Sequence, residues 1–275
     1  MIDIERGVKL GGARSYFLKG DGMLFEQAVL QYTLKKIVER GFTPMQVPNI
    51  VNPECLQGTG YFPGGEEDAY RMERDDQRLI GTSEIPVTAY HMNEILNEDD
   101  LPKKYCGYSA CYRREAGTYG KDTAGLYRVH QFQKVEQVVV LPADEKMSEQ
   151  YYRQILQNSM DILADLELPH RLLQLCSGDL AIGKYNSHDL ECRMPSRNAY
   201  GETHSVTAFL DFQARRLNLK YRDKDGKIQY CYTMNNTAIA TPRVLIAIIE
   251  NNQTADGKIR IPKVLQAYMG KGVIG

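Results

Sequence analysis

The chain has 275 residues, enough for one large domain or two small ones, and 34 basic against 35 acidic side chains leave a formal net charge of −1. That balance argues against a protein that grips nucleic acid mainly through bulk positive charge. The longest purely apolar run, residues 244–249, is far short of the ~20 residues that span a bilayer, and the charged stretch from Met1 to Lys9 lacks the apolar segment of a secretory leader.

In chain order, residues 21–40 read as an amphipathic helix, with Leu24, Ala28, Leu34 and Val38 near helical period and Gly41 as its stop. Strand candidates follow at 45–51, 79–82, 105–112 and 132–141. Glu145–Asp165 reads as a second helix, with Tyr151, Ile155, Met160 and Leu163 on one stripe. Further strands are expected at 170–175, 189–194, 203–210 and 229–234. Asp223-Lys224-Asp225-Gly226 joins two alternating runs, 218–221 and 227–232, as a hairpin does. Arg243–Asn251 is a short helix, apolar on most faces and so buried. Strands outnumber helices without alternating regularly with them. The expectation is therefore an α+β fold, one domain over residues 1–275, with a mostly antiparallel sheet flanked by helices.

The six cysteines (Cys55, Cys106, Cys111, Cys176, Cys192, Cys231) fall at no CxxC or CxxxC spacing. No zinc site or disulfide framework is expected; the thiols read as buried or partly buried and reduced, as in a cytoplasm. Cys106 and Cys111, five apart on one strand, should face opposite sides. No GxxxxGK[ST] run occurs, and nucleotide binding of the P-loop or Rossmann kind is not expected.

Three segments carry more ionisable residues than a core element would. Thr82-Ser83-Glu84 ends an apolar strand; it also reads as a helix start, with Thr82 capping and Glu84 in the first turn. From Arg113-Arg114-Glu115 a glycine-punctuated loop leads to Tyr127, and alternation then sets Arg128, His130, Phe132, Lys134 and Glu136 on one face. Such a hairpin suits a phosphate held by arginine forks and a planar base stacked on Phe132; a solvated sheet face with cross-strand ion pairs explains it equally well. In the third segment Glu202 and Ser205 offer oxygen ligands of the kind that hold Mg²⁺. Arg243 opens a helix whose dipole disfavours a cation there, unless an anion sits nearby. Asn235, Asn236 and Thr237 before it equally form a plain turn. Of His91, His170, His188 and His204, read as surface or core residues, His204 alone lies near a candidate site.

Taken jointly, these stretches and others resemble a known family. The carrying residues are Tyr16-Phe17-Leu18-Lys19-Gly20-Asp21-Gly22, Gly58-Thr59-Gly60, Thr82-Ser83-Glu84, Arg113-Arg114-Glu115-Ala116-Gly117, Arg128-Val129-His130-Gln131-Phe132, Lys134-Val135-Glu136, Asp211-Phe212-Gln213-Ala214-Arg215-Arg216 and Asn235-Asn236-Thr237-Ala238-Ile239-Ala240-Thr241-Pro242-Arg243. Together they resemble the catalytic domain of bacterial-type seryl-tRNA synthetases, class II aminoacyl-tRNA synthetases, over nearly the whole chain. The resemblance implies an antiparallel sheet flanked by helices, a cytoplasmic homodimer meeting through the helix that ends near Arg40, and no membrane association. Its members begin with a coiled-coil arm that grips tRNA; this sequence starts where that arm would end, so weak tRNA binding is expected. Where members read Tyr-Arg-Glu-(Ile/Thr)-Ser-Ser-Cys-Ser, this chain has Tyr200-Gly201-Glu202-Thr203-His204-Ser205-Val206-Thr207.

The implied activity is that of a serine–tRNA ligase: ATP and L-serine give seryl-adenylate and pyrophosphate, and the seryl group passes to the 3′ end of tRNA(Ser). An adenylating paralogue with a non-tRNA acceptor, or a non-catalytic regulatory dimer, are the competing implications. By resemblance, Arg113, Glu202 and Arg243 are the catalytic residues. Arg113, Glu115, Arg128, Val129, Phe132, Glu202, Thr203, His204, Ser205 and Arg243 would bind ATP. Thr82, Ser83, Glu84, Arg113, Glu136, Asn235 and Thr237 would bind serine, and Glu202 with Ser205 would hold Mg²⁺.

Overall fold

A computed structural model describes residues 1–118 and 125–275. The middle of the loop expected between Arg114 and Tyr127 lies outside the described residues. The helix α1 spans Ile4–Gly11 and α2 spans Asp21–Glu39. Strand β1 is Thr43–Gln46; α3 (Pro53–Thr59) and α4 (Glu84–Thr88) are short; β2 is Lys103–Tyr112 and β3 is Gln131–Leu141. Then come α5 (Glu145–Asp165), β4 (His170–Gln174), β5 (Asn186–Met194), β6 (Ala199–Leu210), α6 (Phe212–Arg216), β7 (Tyr232–Ala240) and α7 (Arg243–Asn251).

Among the described residues these seven strands form one sheet in the order β4-β5-β6-β7-β3-β2-β1. Neighbours are antiparallel except β1, which runs parallel to β2 at the edge. The mixed helix and antiparallel content agrees with the α+β expectation. Alternation divides the sheet cleanly. Val135, Val139 and Leu141 of β3 join Cys106, Val206 and Met234 in a core covered by Phe25 and Val29 of α2, Ile155 and Ile162 of α5, and Val244 and Ile248 of α7. Each fully buried side chain of this size contributes about 1.5–3 kcal/mol.

A polar seam crosses the same interface. The Asn158 amide donates to Gln137 Oε1 at 2.6 Å, Asn236 Nδ2 donates to Ser159 Oγ at 2.7 Å, and Ser159 donates to the Thr237 carbonyl at 2.9 Å. Directional bonds of this kind fix α5 in register where apolar packing alone would let it slide. On the opposite face Phe132, Lys134, Glu136, Asn235 and Thr237 are left without a helical cover, and there the cavities lie.

Three expected strands end differently. The run 45–51 breaks at Pro48, which lacks a donor, into β1 and Ile50–Val51. Residues 79–82 pair only through Gln77–Leu79, because the chain turns at Thr82 to start α4. The run 229–234 divides into Ile228–Tyr230 and β7. The hairpin forms between Lys220–Arg222 and Ile228–Tyr230, its turn held by Asp223 Oδ1 accepting from the Asp225 and Lys227 amides at 3.1 and 2.8 Å. Cys106 and Cys111 are fully buried, on opposite faces as expected. Cys176, expected to be buried or partly buried, is instead exposed on the loop after β4.

Candidate active site

Two adjoining cavities open on the uncovered sheet face. The first, of about 520 Å³, is lined by Arg113, Glu115, Tyr127, Arg128, Val129, Phe132, Glu202, Thr203, His204 and Arg243 among others. The second, about 1380 Å³ and more open, is lined by Tyr61, Glu84, Glu136, Lys184, Asn235 and Thr207 among others. Arg113, Lys134, Glu202, Ser205 and Thr237 belong to both walls.

Arg113 follows the last residue of β2. Its Nε donates to the Gly81 carbonyl at 3.3 Å, and its guanidinium carbon lies 5.2 Å from the centre of the Phe132 ring. The face predicted for residues 128–136 is continuous only from Phe132. His130 lies before β3 with Nδ1 3.0 Å from the Arg113 carbonyl, and Glu115 turns back through a positive φ of 56°. That turn brings its carboxylate to the Arg128 guanidinium, 3.2 Å away.

Arg243 stands at the first position of α7, and its anion is Glu202: Arg243 Nη1 is 3.1 Å from Glu202 Oε2, and it also donates to the Glu202 carbonyl at 3.1 Å. Its Nε donates to the Tyr127 carbonyl at 3.0 Å while the guanidinium lies 4.4 Å from the Tyr127 ring centre. The carboxylate thus offsets the dipole penalty of a cation at a helix start. Behind it, Thr241 donates to Glu26 Oε1 at 2.7 Å and accepts from the Gln133 amide at 3.2 Å, tying β7, β3 and α2 together.

Gly201, the departure at the family's arginine position, has no space to spare. A Cβ there would lie 2.9 Å from Met194 Sδ and 3.1 Å from Tyr127 Cε2. The glycine lets Tyr127 pack beneath Arg243. His204 is buried, with Nε2 3.0 Å from the Ala238 carbonyl and Nδ1 2.8 Å from Thr203 Oγ1. A carbonyl only accepts, so Nε2 carries the proton; burial holds the ring's pKa down, to about 3, and the imidazole is neutral. The side chains of Thr203 and His204 therefore knit β6 to β5 and β7.

In the second cavity α4 lies across β2 because Gly107 has no side chain; a Cβ would be 2.8 Å from Val87 Cγ2 and 2.9 Å from Ser83 Cβ. Ser83 donates to the Gly107 carbonyl at 3.1 Å and faces neither cavity. Thr82 Oγ1 accepts from the Glu84 amide at 3.2 Å and from Lys134 Nζ at 2.9 Å; it supports the helix start from the residue before the N-cap Ser83 and lines neither cavity itself. Lys134 also sits against Glu136 Oε2. Burial, with the charge of Glu84, pushes Glu136 up to about 7 despite that ammonium. Asn235 Nδ2 is buried with no hydrogen-bond partner, which leaves a donor beside Glu136 for a polar guest.

Some residues of this constellation escape a sequence reading. Glu84 is held by Tyr61, whose hydroxyl donates to Oε2 at 2.8 Å, and by Gln213, whose amide donates to Oε1 at 2.8 Å. Asp189 pairs in register with Ser205; burial and the nearby Glu202 raise its pKa to about 6. Gln213 lies in Asp211-Phe212-Gln213-Ala214-Arg215-Arg216, a stretch the resemblance marks without a role. No spacing could have placed Tyr61 or Asp189.

Glu202, Ser205 and Asp189 present hard oxygen donors, and a divalent cation would relieve the repulsion between the two carboxylates. The first cavity can stack a planar ring and pair with anionic oxygens; the second offers carboxylates to a cation and polar groups to a hydroxyl.

Residues 70–252 match the family described as tRNA synthetase class II core domain (G, H, P, S and T). The chain is 46% identical over 268 residues to the serine–tRNA ligase of Deinococcus radiodurans, covering 98% of this chain and 63% of that protein. The Bdellovibrio bacteriovorus enzyme is 46% identical over 271 residues, with 98% and 62% covered. A crystal structure described as seryl-tRNA synthetase from Pyrococcus horikoshii complexed with ATP superposes with a TM-score of 0.96 at 41% identity, over 99% of this chain and 61% of that one. The prolyl-tRNA synthetase of Giardia lamblia, at 16% identity and a TM-score of 0.83, shares the fold. The chain spans less than two thirds of the length of these curated relatives.

Proposed function

Because this chain belongs to the tRNA synthetase class II core family, we propose that it activates L-serine with ATP and transfers the seryl group to the 3′ end of tRNA(Ser). The observation that carries the proposal is the position of Arg113. It lines both cavities, the first of which this reading assigns to the nucleotide and the second to a small hydroxylated zwitterion.

The serine carboxylate is ionised at pH 7 and needs no protein base. One of its oxygens attacks the α-phosphorus, the bond to the β-phosphate oxygen breaks, and pyrophosphate leaves with that electron pair. The protein's task is positioning and neutralisation of charge. Arg113 reaches both the carboxylate and the α-phosphate. Arg243, with Arg128, takes the terminal phosphate, Glu115 the adenine amino group, and Phe132 stacks against the ring. Glu84 receives the serine ammonium, with Thr82 behind it; Glu136 accepts from the serine hydroxyl, with Thr237 and Asn235 beside it. Glu202 and Ser205, joined by Asp189, would hold Mg²⁺, which when bound neutralises phosphate charge.

The exposed apolar side chains Ile4, Val8 and Leu10 of α1 and Met23 and Leu24 of α2 support a homodimer meeting through this face. A cytoplasmic location accords with six free cysteines. ATP–pyrophosphate exchange with serine, threonine, alanine and glycine tests the assignment: serine should dominate, and a preference for any of the others overturns it. A site built to pair with a hydroxyl discriminates against alanine by up to roughly 10⁴-fold.

A further inference from the structure

Glu84 holds its carboxylate in a fixed direction, and the group that aims it is Gln213. Gln213 is buried on α6, and all its polar atoms are engaged. Nε2 donates to Glu84 Oε1 at 2.8 Å and to the Thr59 carbonyl at 3.1 Å, while Oε1 accepts from the Thr233 hydroxyl at 2.7 Å. A carbonyl and a carboxylate only accept, so the reversed amide would set its oxygen against two acceptors. The orientation is forced by chemistry.

The amide also joins three elements. The Thr59 carbonyl is one of the unpaired groups at the end of α3, Thr233 belongs to β7, and Glu84 opens α4. On the next turn Arg216 donates to the Gln57 and Phe62 carbonyls at 2.7 and 3.0 Å. Beyond α3 the chain passes Gly60, whose φ is 86° and whose Cβ would lie 2.9 Å from the Phe212 ring. This seat delivers Tyr61, the second donor to Glu84.

We infer that Gln213 is a positioning residue for recognition of the substrate ammonium: it fixes Glu84 so that its carboxylate meets the amino group of the amino acid, and it does not touch substrate itself. The inference rests on the assignment of the second cavity to serine.

The test uses two nonhydrolysable ligands, seryl-sulfamoyl adenosine and its counterpart lacking the amino group, with Kd measured by calorimetry. The wild-type chain should favour the amino form strongly. In Gln213→Met that preference should fall about tenfold or more, the worth of hydrogen bonds to a charged group, while the desamino ligand binds as before. Thr233→Val, which removes only the hydroxyl that anchors the amide oxygen, conserves shape and keeps the test decisive if Gln213→Met does not fold; it should show a smaller loss in the same direction. An unchanged preference in the folded variants overturns the role of Gln213, as does an equal weakening of both ligands. Failure of the wild-type chain to bind either compound overturns the underlying serine assignment instead.

Discussion

In the proposed reaction Arg113 offers a planar fork where a point charge would not serve, since a carboxylate and a phosphate would be reached together. Arg113→Ala should lower kcat for pyrophosphate exchange by about 10²–10³-fold, as for other preorganised charge stabilisers, and Arg113→Lys should recover little of it. Exchange kinetics on both variants check this. Glu136 makes a prediction about pH. Burial raises its pKa to about 7, so it takes up a proton as pH falls through neutrality and, in its proposed role, would lose acceptor capacity for the serine hydroxyl. The KM for serine should therefore rise on acidification from pH 8 to 6, and Glu136→Gln should have a higher KM with no inflection in that interval. Residues such as Glu202 and Arg243 were legible because a charge at a strand or helix end is conspicuous in a sequence. Gln213 and Asp189 were not, because a neutral amide on a five-residue helix and a carboxyl on an alternating strand look ordinary until the fold sets them beside a partner.

At the scale of elements, α4 depends on a glycine. Gly107→Ala puts a methyl against Val87 and Ser83, both within 3 Å, and should destabilise the chain by about 1–3 kcal/mol. The KM for serine should rise while that for ATP holds, because α4 carries Glu84 but borders only the second cavity; denaturation and steady-state kinetics together measure the split. The long helices were readable from their stripes, and α2 also from its stop, for Gly41 follows it with a φ of 83°. The helices α3 and α4, of seven and five residues, are too short to show a period. The parallel pairing of β1 with β2 is set by tertiary packing and leaves no local signature.

Across the whole molecule the shared wall couples the two cavities. ATP and serine together should raise Tm by more than the sum of their separate shifts, since each orders Arg113 for the other; Arg113→Ala should reduce the pair to simple addition. Calorimetric melting of the four combinations decides it. The seven-stranded sheet makes such coupling direct, for both cavities rest on the same central strands and no hinge intervenes.

The contact between Arg243 and Glu202, 3.1 Å apart in the lining of the first cavity, gives the cleft a lock of opposed charges. A stray polyanion finds this guanidinium already paired. To capture the arginine it must evict the carboxylate, and one that brings no counter-ion strands that carboxylate near the half-buried Asp189. Under the proposed function, entry would favour an anion that travels with its own cation over other phosphorylated solutes.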